Sequence, residues 1–240
     1  VTQKFPDQSS ILNKGFIKVV DVLGSDLTVV NTARVSFGKR KETLDEKDKL
    51  LIKYLAKNKH YSPFRHIMVQ FHIKMPEFVA RQIYKHTIGA EWTSSYPTKD
   101  HAWNELSLRY VKVGEDIQDF YNPMEWRKQS SDNKQGSDGL VSDQETSNTA
   151  YADAMESMMD AYNKLINLDV AREQARIILP LSIYTEVYWT ASFQAIMNFI
   201  ELRVDSHAQW EIQQYAQATL KVMERLFPVT TKVWVEETKK

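Results

Sequence analysis

An α+β domain, helices and strands mixed along one chain, is what this sequence predicts, and three patterns carry that expectation. From Ile67 to Ile73, apolar Ile67, Val69, Phe71 and Ile73 alternate with Met68, Gln70 and His72, the period of a half-buried strand. Near the C-terminus Ile212, Tyr215, Ala216, Thr219, Val222, Met223 and Leu226 recur at helical spacing. No segment repeats at a fixed period, so a solenoid or propeller is not expected and 1–240 reads as a single domain.

The elements follow in order. Phe16-Ile17-Lys18-Val19-Val20 reads as an early strand, and Asp26 to Phe37 as a short helix after it. Thr43 to Lys59 is charged but sets Leu50, Leu51, Tyr54 and Leu55 on one helical face. Tyr61 to Phe64 is a turn, and the alternating strand comes next. Pro76 stands where a helix starts, with Phe78, Val79 and Ile83 on its buried side and an end near Thr87. Gly89, Ser94, Ser95 and Pro97 make 88–103 a loop. Residues 127–149 are almost wholly polar and predict a flexible surface excursion. Tyr151, Met155, Met158, Met159, Tyr162, Leu165 and Ile166 form a helical stripe suited to a core or a subunit interface. Asp169 is placed to cap a helix carrying Arg172 and Arg176 and stopping before Pro180. Ile183 to Thr190 reads as a strand and Phe193 to Leu202 as a helix. Ser206 and Gln209 have capping-box spacing for a final helix, which Pro228 ends.

Composition limits the function. With 31 basic and 31 acidic residues the net charge is zero, so no global field holds nucleic acid, and any nucleotide must sit in a local site. Cysteine is absent, which excludes disulfides, thiolate metal sites and cysteine nucleophiles. The six histidines lack zinc spacing, and no metal site is expected. Seven glycines in all leave no P-loop and no dinucleotide fingerprint. The apolar runs are far shorter than the roughly 18 residues of a membrane span. A cytoplasmic location is expected (the host cytoplasm, for a viral chain), with neither membrane nor nucleic acid as partner.

Three groups could carry chemistry. In Trp103-Asn104-Glu105-Leu106-Ser107-Leu108-Arg109-Tyr110, an extended backbone would point Glu105, Ser107 and Arg109 to one face. That face offers an acceptor, a hydroxyl and a guanidinium fork that fits phosphate, as a nucleotide requires. A polar edge strand would show the same residues. On the helix from Pro76, Gln82 and His86 share a face, as do Arg81 and Lys85; this is either an anion site or a basic helix end that complements the dipole. Arg203 precedes the last helix, whose exposed amides with an adjacent arginine could hold phosphate or could be a plain capped end. Ser107 has no base beside it in sequence, so it suits hydrogen bonding to substrate better than attack.

These pieces occur together in an order that resembles the flavin-dependent thymidylate synthases. The resemblance rests on Ala33-Arg34-Val35-Ser36-Phe37, His60-Tyr61-Ser62-Pro63-Phe64-Arg65-His66, Phe78-Val79-Ala80-Arg81-Gln82, Asn104 to Tyr110, Ala175-Arg176-Ile177-Ile178-Leu179-Pro180 and Asn198 to Ile212. It spans residues 15 to 228. It implies a mixed helix and antiparallel-sheet subunit, assembled as a homotetramer with shared active sites. It implies dUMP as substrate, FAD as cofactor, and methylenetetrahydrofolate and NADPH as co-substrates, with dTMP as product. Carried over by position, Gln82, Glu105, Ser107, Arg109, Arg176 and Arg203 would bind dUMP, Arg203 and Ser107 being the catalytic pair. Arg109 and Ser107 would take the phosphate, and Arg203 the charge developing on the ring. Ser36, His60, Lys85, His86, Glu105, Asn198 and His207 would line the FAD and folate side.

The resemblance breaks at one motif. Lys85-His86-Thr87 stands where the family has Arg-His-Arg, so only the histidine is kept. Thr87 to Trp103 lengthens the following loop by roughly a dozen residues, a loop of functional length. Lys99 or His101 is the candidate substitute for the missing arginines. Ser192 and Gln194 replace an asparagine and an arginine on the flavin side. Two alternatives therefore stay open: another modification of pyrimidine C5 (hydroxymethylation, or a different uridine nucleotide), and a nucleotide-binding homologue that has lost flavin.

Overall fold

Strand β3 (Met68–Pro76) is the spine of the molecule. In the computed structural model, which describes residues 8–86, 101–115, 119–134 and 136–238, it pairs antiparallel with strands on both sides. The sheet order is β1 (Ser9–Ile11), β2 (Gly15–Leu23), β3, β7 (Tyr184–Ser192), β4 (His101–Glu105). Every pairing is antiparallel, as the resemblance implies. Val69, Phe71, Ile73 and Met75 are buried on one face of β3, while Gln70, His72 and Lys74 find polar partners on the other. The alternation in the sequence is therefore the alternation of the fold.

The apolar face is covered by α1 (Asp26–Arg34), α2 (Glu46–Lys57), α6 (Phe193–Arg203), α7 (Trp210–Leu226) and α8 (Pro228–Thr238). Each start has a local cause. Asp45 accepts from the Asp48 amide and Asp48 from the Asp45 amide, a reciprocal cap on α2. Ser192 accepts from the Ala195 amide to open α6. Gly15 is required where β2 begins: a Cβ there would lie 2.0 Å from the Tyr215 hydroxyl oxygen, which donates to the Lys74 carbonyl.

A second, smaller core gathers Val113, Tyr162, Ala175 and Ile183. It packs α4 (Gln144–Asn167), α5 (Arg172–Ala175) and the chain after β4, with Leu106, Leu108 and Val111 turned inward. Among the described residues, no helix is long and apolar enough to cross a membrane.

Several expectations need correction. The polar stretch expected at 127–149 lies mostly on the surface but carries regular structure among its described residues: β5 (Arg127–Gln129) and β6 (Ser137–Leu140) form a hairpin, and Asp143 caps α4. Composition misled there because hairpin strands this short need no apolar face of their own. Asp169 caps nothing; it takes φ 61°, past the end of α4, and Ala171 is the residue before α5. Pro228 ends α7 but also begins α8, whose first amides, Val229 and Thr230, donate to the buried Asp26 carboxylate. The Ser206–Gln209 capping box does not form. α3 covers Glu77–Ile83 and stops short of Thr87. In the expected loop at 88–103, residues 101–103 belong to β4, while Thr87, Lys99 and the rest of the insertion lie outside the described residues.

Candidate active site

β4 ends at Glu105, and the chain then turns, with the Tyr110 amide donating to the Ser107 carbonyl. The single extended face proposed for Glu105, Ser107 and Arg109 is thus broken after its first member. Burial of Leu106 and Leu108 in the second core causes this, because it pulls the chain off the sheet edge. Ser107 and Arg109 still meet: the Arg109 Nε–H donates to Ser107 Oγ at 3.1 Å. The guanidinium also lies over the Tyr110 ring, 5.3 Å from its centre. Arg172 donates to the Tyr110 carbonyl at 2.9 Å and fixes the turn against α5. Arg176, beyond α5, is half-buried and donates from Nε to the Glu173 carbonyl at 3.3 Å.

Glu105 takes a different neighbourhood. One carboxylate oxygen accepts from Thr185 Oγ at 3.0 Å, the other from Trp103 Nε1 at 3.0 Å. Glu77, Arg81, Tyr84, Trp103 and Asn104 complete a cleft of about 470 Å³ around it. Glu77 and Arg81, which sequence reasoning passed over or read as a solvated helix end, form an ion pair at 3.8 Å on its wall.

A third group sits where α3 meets the segment between α6 and α7. Gln82 and His86 do not share a helical face, since α3 ends at Ile83; each instead reaches the 203–209 segment. Gln82 Nε2 donates to Gln209 Oε1 at 2.7 Å, and Arg203 Nε to His86 Nε2 at 3.0 Å. The Gln209 amide is thus occupied with Gln82 instead of a capping box. The His86 ring packs edge-on against Phe199, centres 5.5 Å apart. Burial, then the adjacent guanidinium, hold the His86 imidazole down at about 4. Burial also lowers the Arg203 guanidinium from its ordinary value.

The His86 ring is consequently neutral over the whole ordinary pH range. Its folded-state pKa lies below the unfolded value, so its contribution to stability is complete above pH 6.5 and is lost as pH falls toward 4. Ring-proton NMR should show no titration of His86 above about pH 5; a midpoint near 6.5 would contradict the placement of Arg203.

The remaining candidates lie on the surface. Ser36 is exposed in a 3-10 turn between Val35 and Phe37, which are 72% and 77% exposed. The turn is pinned by Asp48, whose buried carboxylate takes Arg34 Nη2 and Lys41 Nζ, each at 2.5 Å. His60 and Lys85 are exposed, and Asn198 is half-buried on α6. His207 precedes α7 instead of lying in its first turn; its amide and Nδ1 both contact Asp205 Oδ1, at 2.8 and 2.7 Å. His101 is half-buried on β4 beside Tyr84. Ser192 and Gln194 are buried, so neither reaches the surface that bears Ser36.

The family model described as "Thymidylate synthase complementing protein" matches residues 18–229. The chain belongs to the flavin-dependent thymidylate synthase family. The flavin-dependent thymidylate synthase of Thermosipho melanesiensis is 44% identical over 223 residues, 92% of this chain and 90% of that protein. That of Thermotoga neapolitana is 39% identical over 226 residues, 94% and 93% of the two. Among solved structures, a UMP/dUMP methylase, PolB, from Streptomyces cacaoi bound with 5-Br dUMP superposes with a TM-score of 0.79 at 29% identity, covering 95% of this chain and 97% of that one. The same protein bound with 5-Br UMP gives 0.77. Against the flavin-dependent thymidylate synthase pattern this chain is a divergent member, through Lys85-His86-Thr87 and the inserted segment.

One feature beside this site carried almost no signal in the sequence. The side chain of Glu211, on the first turn of α7, is 4% exposed; Oε1 takes the Arg127 Nη2 at 2.5 Å and the Tyr121 hydroxyl at 3.1 Å. Arg127 also lies over Trp210. This lock ties the β5–β6 hairpin to α7 two residues from Gln209. A carboxylate among the apolar positions of α7 was its only sequence signal.

Proposed function

We propose that this chain converts dUMP to dTMP, with methylenetetrahydrofolate as carbon donor and NADPH as reductant through FAD. Membership of the family over residues 18–229 supports the reaction. The observation that carries it to particular residues is the Arg203–His86 contact beside the Gln82–Gln209 pair.

In this reading Ser107, Arg109 and Arg176 take the phosphate, and the guanidinium forks match its oxygens. Gln82 and Glu105 orient the nucleoside. Arg203 faces the pyrimidine and stabilises negative charge that builds on the ring. Its Nε is held by neutral His86, which leaves the Nη donors for the ligand. No described hydrogen bond or ion pair links the Ser107–Arg109 pair to Arg203 or His86. A homotetramer in which one subunit's phosphate-binding turn meets another's Arg203 is the assembly that completes the site.

The donor set suits FAD, which presents both an aromatic ring and phosphates. Exposed Ser36, His60, Lys85 and His207 offer polar contacts, and exposed Val35 and Phe37 an apolar surface. His86, Glu105 and Asn198 would complete that side. Bound FAD supplies the hydride chemistry; the chain's residues position the nucleotide and polarise its ring. Likeness to a protein described as a UMP/dUMP methylase favours UMP as a second substrate, so both nucleotides belong in the assay.

The test is a visible absorption spectrum of the desalted protein after incubation with FAD, then with dUMP. Retained flavin bands that shift with dUMP are expected. A colourless protein that still binds dUMP would contradict the synthase reading and favour a nucleotide-binding homologue.

A further inference from the structure

Two carboxyl groups line the cleft between α3 and β4. Glu77 opens α3 directly after Pro76, and its backbone amide is fixed to the Ile183 carbonyl at 2.9 Å. Glu105 closes β4, its oxygens held by Thr185 and Trp103. Both side chains line the same cleft, Glu77 from the first turn of α3 and Glu105 from the end of β4. Neighbouring carboxylates raise the cost of ionising one another, so at low pH one of such a pair can stay neutral and donate a proton to the other.

We propose that Glu77 is a positioning residue for Glu105: its carboxyl donates its proton to the Glu105 carboxylate and holds it against the cleft wall. The inference rests on the reading that Glu105 meets the nucleotide. Glu105 has Thr185 and Trp103 as donors on two sides, and Glu77 supplies the contact from α3. Burial first, then the Glu105 charge, push the Glu77 carboxyl above its ordinary range, and Arg81 and Arg176 oppose that. Tyr84 also lines the cleft, while Glu186 on β7 is engaged with His72 and Lys74 and does not enter it. The sign is fixed: the contact exists at low pH and is lost as pH rises through the Glu77 titration, when the two charges repel.

The experiment uses the FAD-loaded full chain and measures dUMP binding by calorimetry, with kcat and KM, across the pH range in which the protein stays folded. The wild type should lose dUMP affinity by roughly tenfold toward high pH with kcat nearly constant. Glu77→Gln, whose amide donates at every pH, should keep tight binding and flatten the profile. Glu77→Ala should show the weak alkaline affinity throughout. Wild-type pH dependence persisting in Glu77→Gln, or Glu77→Ala matching the wild type, overturns the proposal. If Glu77→Ala does not fold, the Glu77→Gln profile alone decides. Wild-type protein that binds no dUMP at any pH would instead remove the functional reading itself, and this inference with it.

Discussion

Arg203→Ala is expected to lower kcat by roughly 10²–10³-fold, the usual loss when one donor to developing charge is removed. The guanidinium is half-buried, and its charge works in a medium less polarisable than water. Its Nε contact with His86 fixes the plane of the fork, so no reorganisation is needed as charge builds on the pyrimidine. Arg203→Lys should restore little, because an ammonium has neither the fork nor the plane. The same variant carries an internal check. Removing the guanidinium takes away one of the two causes that depress His86, so the imidazole should titrate above about 4 yet below 6.5, since burial persists. A kcat within a few fold of wild type would place Arg203 outside the chemistry.

Glu211→Ala should lower stability by about 3–5 kcal/mol, because it strands the Arg127 guanidinium in a partly buried site. The carboxylate has one oxygen bonded to Arg127 and Tyr121 and the other buried without a partner. Thermal unfolding should fall by roughly 10 °C for a chain of this size. Glu211→Gln keeps an acceptor for both partners and should cost clearly less. Replacing Arg127 as well should recover part of the loss, since no charge is then stranded. If Glu211→Ala melts with the wild type, the hairpin does not depend on this lock.

What could be read from the sequence depended on whether its cause was local. Strand β3 and helix α7 were legible because periods of two and of 3.6 residues are written in the side chains themselves. Pro228 was ambiguous: the residue that stops one helix is also favoured at the first position of the next. The cap that decides between them is Asp26, about 200 positions away in sequence, which no window can see. The polar hairpin β5–β6 was missed because its stability comes from Trp126, Arg127 and Glu211 packing across to α4 and α7. The site divides in the same way. The turn bearing Ser107 and Arg109 was visible as a motif, although its shape was not. That Arg203 would meet His86, and Gln82 meet Gln209, required the tertiary fold. Glu77 carried no signal until β4 brought Glu105 beside it.

The product identifies which reaction the chain performs. The purified chain, loaded with FAD and supplied with methylenetetrahydrofolate and NADPH, should be given dUMP and UMP in separate reactions and the nucleotides identified by mass spectrometry. dTMP is expected from dUMP, with activity lost when FAD is withheld. Unchanged dUMP from a flavin-loaded protein, or a hydroxymethylated nucleotide in place of dTMP, would contradict it.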